Sequence, residues 1–265
     1  MNIGARAAGF TLIAIAATWG LLAIMAPYNA GLAPATCTTT HCFCENPRVG
    51  SLFLQPSNSW SSFGYVFTGF FLMLDAQRRR GISAFPSEGA IMFGIAAITV
   101  GVGSVLLHAT LTLWGQFADV LGMYLVSGFS LVYAISKIAG LDRVKSAMLY
   151  FAVCGALIMV LLIAPEVRRW LFFAVLLTAL ILEIAFAMPL RPGVILRYLL
   201  LGALVKAIGF GVWVLDQNQT LCAPDSLIQG HAFWHFCGAV SLWLTYCYFR
   251  SESPAQMVDK RPIAA

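Results

Sequence analysis

Charge is what this sequence has least of. Of 265 residues, 11 are acidic and 16 basic, 10% in all, while 60% are hydrophobic. A soluble domain carries about 25% charged residues, so the composition excludes an ordinary enzyme dissolved in water. The net charge of +5 is not gathered into one basic face. It is spread over short segments between apolar runs, which excludes a nucleic-acid surface and reads instead as a topology signal. Histidine is scarcer still, with four in the chain.

What the chain does have is a series of apolar runs of about 20 residues, the length that crosses a bilayer. Eight can be drawn: Ala8–Ala26, Ser57–Ala76, Ala90–Leu113, Gln116–Ser136, Ser146–Ala164, Trp170–Leu190, Tyr198–Leu215 and Ser226–Phe249. The fold class they predict is an all-α integral membrane protein. The first run, behind Arg6, also resembles a signal peptide, with Ala33-Pro34-Ala35 as a cleavage match. Its length and its distance from Ala35 favour a retained helix. With the N-terminus inside, the outer segments hold three basic residues (Arg48, Arg168, Arg169) and the inner segments twelve, Lys206 being within a span. That asymmetry predicts both termini on the cytoplasmic side.

Cys37, Cys42, Cys44 and Cys222 fall in loops of the outer side, an even set that suggests disulfides in an oxidising compartment. A bond between Cys44 and Cys222 would tie the first outer loop to the loop before the last span. Cys154, Cys237 and Cys247 lie in apolar runs and read as small core residues.

Three of the four histidines sit in two segments. Ser104 and His108 are four apart, on one helical face. Leu113-Trp114-Gly115-Gln116 reads as a short turn, so that Asp119 would open the next helix. His231 and His235 form a second i, i+4 pair. Under the expected topology His108, Asp119, His231 and His235 all reach the outer-leaflet level, which the charge count did not require. Three imidazoles and one open position make a catalytic zinc site. The plainer alternative is three unrelated buried histidines, each satisfied by a hydrogen bond. Glu183 and Lys206, both mid-span, are expected to pair as a structural ion pair, the alternative being a polar feature of the substrate cavity.

Zinc on His108, His231 and His235 would activate water and polarise a carbonyl. Asp119 is placed as general base or as a partner that orients a ligand or the water. Ser104 is placed to donate to a developing oxyanion. A site within a bilayer suggests a lipid substrate that enters sideways between helices.

These residues resemble the alkaline ceramidases, of the CREST superfamily of membrane hydrolases. The resemblance rests on Ser104, His108 and Asp119, on His231-Ala232-Phe233-Trp234-His235, on Cys44-Glu45, on Asn58-Ser59-Trp60-Ser61, and on Trp213 and Asp216 leading to Cys222. It spans roughly residues 42–248. It implies a seven-helix catalytic core over 42–250, here with one added N-terminal helix and Cys-containing loop over 1–41 and a polar cytoplasmic tail over 251–265. It also implies zinc-dependent hydrolysis of a ceramide amide to a long-chain base and a fatty acid, with the site facing the extracytoplasmic side. By the same resemblance His108, His231 and His235 hold zinc, Asp119 assists the water, Ser104 steadies the oxyanion, and Cys44 bonds Cys222. The family's calcium site draws on acidic residues in this region. Glu45 is retained as a candidate ligand for Ca2+, whereas Gln55 stands where another Glu is expected.

Other readings are hydrolysis of a different lipid amide or ester, and a non-catalytic receptor-like protein with structural zinc. Cys237, two residues past His235, does not complete a closed site, because it is rotated about 200° from His235 on a helix. A haem protein would need paired axial histidines, which three at one level do not offer. Neither nucleic acid nor a protein partner is implied.

Overall fold

The computed structural model describes residues 2–29, 31–38, 43–79 and 81–254. Its helices are α1 (Ile3–Asn29), α2 (Pro56–Arg78), α3 (Ser87–Thr110), α4 (Leu113–Ile138), α5 (Arg143–Ile163), α6 (Arg168–Leu182), α7 (Leu196–Gln217) and α8 (Gly230–Arg250). After α6 the chain widens into a π turn over Glu183–Ala187 and tightens into a 3-10 turn over Met188–Leu190. In lipid every backbone amide and carbonyl must be satisfied within the chain, and helices do this segment by segment. The molecule is an all-α, multi-pass membrane protein.

Six helical segments are long and apolar enough to cross a membrane: α1, α3, α4, α5, Pro165–Leu190 and α7. The expected set had eight. The two that fall short, α2 and α8, carry Asn58, Ser59, Ser61 and Ser62, and His231 and His235, respectively. Those polar residues lower the mean hydropathy of helices that are otherwise buried. Residues of the site are part of what weakens the span signal, together with Asp75, Gln77 and Arg78 at the other end of α2.

Helix α3 is central. Its most apolar window is 67% buried, against 17% for α1 and for α7, which present most of their surface outward. α3 is clasped by α2 on one side and α4 on the other. The α3–α4 contact is made backbone to backbone: a Cβ on Gly103 would strike the Ala118 carbonyl and the Asp119 amide. Small residues permit such an approach, which packing between apolar helices in lipid depends on.

The α3–α4 turn differs from expectation. It lies at Leu111-Thr112, not Leu113–Gln116. Leu111 takes a left-handed conformation (φ 49°), and the Thr112 hydroxyl accepts from the Gly115 amide to cap α4. Helix α4 therefore starts at Leu113, and Asp119 lies in its second turn instead of opening it. The chain after α1 packs on this turn, with the Ala35 amide donating to Leu111 O (2.8 Å) and Thr36 held by Gln116 Oε1 (2.9 Å).

At the other end of the bundle sits a buried charge network. Arg191 donates to Glu183 (2.7 Å) and to Glu252 (2.7 Å), Tyr248 donates to Glu183 (2.7 Å), and Lys137 pairs with Glu252 (2.7 Å). The expected Glu183–Lys206 pair does not form: Glu183 turns to Arg191, eight residues on. Of the tail expected over 251–265, residues 251–254 are described, and Glu252 is buried in this network. The remainder, like Cys42, lies outside the described residues.

Candidate metal centre

His108 comes from the last turns of α3, and His231 and His235 from the first turns of α8. They meet at one end of the bundle with ligand atoms all within 4.8 Å of one another, and all three are buried. Among the described residues this is the one group of His, Cys, Asp or Glu side chains close enough to hold a metal ion. The Nε2 atoms of His108 and His231 lie 3.1 Å apart. Tetrahedral coordination with zinc–nitrogen bonds of about 2.0–2.1 Å would separate two such nitrogens by a similar distance.

The outer nitrogens explain why these atoms converge. His108 Nδ1 lies 2.8 Å from Gln55 Oε1, while the Gln55 amide nitrogen donates to the Glu45 carbonyl, 2.8 Å away. That second bond sets the amide so that its oxygen faces the imidazole, which must carry its proton on Nδ1. His235 Nδ1 faces the Asn58 carbonyl at 3.1 Å, with Ser61 and Ser62 hydroxyls alongside. Both rings thus keep the Nε2 lone pair for the interior. Fixing the tautomer through the other nitrogen is how proteins prepare histidine for a metal. The Nδ1 of His231 is buried without a partner among the described residues. The donor set fits a divalent cation of zinc's kind.

Local structure delivers each histidine. Both carboxylate oxygens of Glu45 accept from the first amides of α2, Ser57 (2.8 Å) and Asn58 (2.9 Å), a favourable place for negative charge. That cap fixes the turn from which Asn58 offers its carbonyl to His235. Asp216, at the end of α7, does the same for α8: Oδ2 accepts from the His231 amide (3.1 Å) and Oδ1 from the Cys44 amide (3.2 Å). The Cys44–Cys222 disulfide closes the same corner, joining positions 178 residues apart. Phe43 covers two of the histidines, its ring centroid 4.6 Å from His108 and 4.3 Å from His231.

A cavity opens beside the histidines. Ser104, Asp119, His231 and His235 line it, with Tyr65, Trp213, Trp234 and the basic Arg168, Arg169 and Lys206. Ser104 Oγ stands 3.2 Å from His235 Nε2. The Gly103 contact brings the backbone of Asp119 against the turn of α3 that carries Ser104. The structure therefore gathers all five residues singled out around zinc, and Lys206 with them. It engages Glu45, the calcium candidate, as a helix cap. Sequence reasoning missed the service of Gln55 and the Asn58 carbonyl to the imidazoles, and the cover supplied by Phe43. The polar opening of an otherwise apolar α2 was the available signal for Asn58; nothing local marked Phe43.

An all-α membrane protein with a histidine cluster buried at one end that could hold a metal ion, beside a cavity that holds a carboxylate and a hydroxyl, is of the class of multi-pass membrane proteins with a candidate metal site. Comparison with known families makes this specific. The family model for ceramidases matches residues 35–260, most of the chain, and the protein belongs to that family. Membership implies hydrolase activity on a lipid substrate within the membrane. No curated protein matches the chain.

Proposed function

We propose that the protein is a zinc-dependent amidase that hydrolyses the N-acyl amide of ceramide, or of a ceramide-like lipid, to a long-chain base and a fatty acid. The observation that carries this is the outward commitment of two imidazole N–H groups, His108 to Gln55 and His235 to Asn58, beside a cavity with a carboxylate and a hydroxyl. A zinc that only staples helices would call for a closed site, whereas two of the three histidines line an accessible cavity.

His108, His231 and His235 would hold the ion through Nε2. When bound, zinc supplies Lewis-acid activation of a water and of the amide carbonyl. Asp119 takes the proton that the water gives up and returns it to the amide nitrogen as the C–N bond breaks. Ser104, whose Oγ stands 3.2 Å from His235 Nε2, would donate its proton towards the carbonyl oxygen as charge develops there. Apolar and aromatic walls accept the chains and keep bulk water away. Glu45 serves in this reading as the cap of α2, and calcium would have to compete with two amide N–H groups for its carboxylate.

The distribution of basic residues supports both termini in the cytoplasm and a site towards the periplasm, lumen or exterior. The Cys44–Cys222 bond, at the same end as the histidines, is in keeping with an oxidising compartment on that side.

Metal content by mass spectrometry and ceramide hydrolysis, read on one detergent-purified sample and on His231→Ala, test the reading. About one zinc per chain is expected, with release of fatty acid, both lost in the variant. Zinc without turnover of any lipid amide would overturn the amidase. Absence of zinc would overturn the metal site.

A further inference from the structure

Lys206 lies within α7, inside a span, and its ammonium has neither a hydrogen-bonding nor an ion-pairing partner among the described residues. What it has is aromatic: Nζ sits 3.8 Å from the Trp234 ring centroid and 5.8 Å from that of Phe172. The packing of α7 on α8 explains how it gets there. Asp216 meets Gly230, and Gly209 meets Cys237 and Trp234, so the Lys206 backbone lies deeper than Trp234. The side chain climbs to the turn of α8 between His231 and His235, and ends in the cavity that they line.

An intramembrane cation is costly and marks function by default. Two aromatic faces attract the ammonium through their ring quadrupoles, but they bring no counter-charge. Arg168 and Arg169 line the same cavity, and neither has an ion pair among the described residues; their guanidinium groups donate to Pro165 O (2.8 Å) and Gln217 Oε1 (3.2 Å). Of the residues that line the cavity, three are cations and one, Asp119, is a carboxylate; Glu166 adds a negative charge beside Arg168, whereas Lys206 has no acceptor among the described residues. A neutral lipid would leave that excess uncompensated, whereas an anion would complete it.

We propose that the substrate is a lipid amide bearing an acidic group (phosphate, sulfonate or carboxylate) within a few bonds of the amide nitrogen, and that Lys206 selects it. This rests on the amidase reading and narrows it to anionic lipid amides.

The test uses the full-length, detergent-purified protein and two fluorescent probes of equal chain length, a ceramide and the same ceramide carrying a 1-phosphate. Equilibrium binding should favour the phosphorylated probe about tenfold or more, equivalent to about 1.4 kcal/mol. That preference should collapse in Lys206→Met and return in Lys206→Arg, with Lys206→Gln in reserve where methionine fails to fold. Equal binding of the two probes by the wild-type protein, or a preference that survives removal of the charge, overturns the proposal. Binding is read apart from turnover. A metal-loaded protein that hydrolyses neither probe counts against the amidase reading alone, and the binding ratio still decides the role of Lys206.

Discussion

The Gln55 side-chain oxygen lies 2.8 Å from Nδ1 of His108, and the same amide is pinned by the Glu45 carbonyl. The pair couples a loop that precedes α2 to a histidine at the far end of α3. Removing the acceptor in Gln55→Leu would free the ring to swing and to change tautomer. Loss of such outer partners typically costs 10–100-fold in metal affinity, and about that loss is expected here. Competition against a chromophoric chelator measures it. Gln55→Glu, which keeps an acceptor, should retain most of the affinity, and equal binding by wild type and the leucine variant would refute the role.

Asp119 can be separated from the ligands by asking what each variant loses. Asp119→Asn preserves size and a hydrogen-bonding oxygen but cannot accept the water's proton. Zinc content should stay at the wild-type level while kcat for amide hydrolysis falls about 10²–10⁴-fold, the usual worth of a placed general base. A drop in zinc content would instead make Asp119 an orienting partner of a ligand.

The histidines were legible from sequence because their setting is so poor in polar groups. Ser104, His108 and Asp119 stand in a run that is otherwise mostly apolar, and His231 and His235 open another. Their neighbours were not legible, for a physical reason: Gln55 and Asn58 act across the fold, on residues 53 and 177 positions away. Such contacts leave no periodicity in the chain. The eight helices were found with shifted ends, and the α3–α4 turn was misplaced because Leu111 adopts a conformation that β-region or helical preferences do not foretell. Pairing Glu183 with Lys206 failed because mid-span position says nothing of depth or facing. The π turn at Glu183 aims its carboxylate at Arg191, while Lys206 leaves towards the cavity.

Gly103 is where close packing and chemistry meet. A Cβ there collides with α4 backbone, which cannot move aside as a side-chain tip would. Gly103→Val should destabilise by about 1–3 kcal/mol, the cost of overpacking, read as a lower melting temperature in detergent. It should also reduce kcat in the folded fraction, since separating α3 from α4 draws Asp119 away from Ser104. Unchanged melting and turnover would show that the helices accommodate the group.

Arg191 tests whether the inner-end network is structural and independent of the metal. Burial opposes its charge, yet Tyr133, Glu183 and Glu252 together outweigh that penalty and hold its pKa above the ordinary arginine value. Its guanidinium also lies 4.0 Å from the Tyr133 ring centroid. Arg191→Met would strand the Glu183 carboxylate, which then keeps only the Tyr248 hydroxyl; breaking a buried pair from one side costs about 3–5 kcal/mol. Glu252 would retain Lys137. The double variant Arg191→Met/Glu183→Gln removes the stranded charge but leaves Tyr248 an acceptor, so at least half of the lost stability should return. Melting temperatures of the wild type, single and double variants in one detergent measure this. Zinc per folded chain should be the same in all three, because the histidines gather at the opposite end of the bundle. A loss of zinc in the single variant would mean that the two ends are coupled through α8, the helix that carries both His235 and Tyr248.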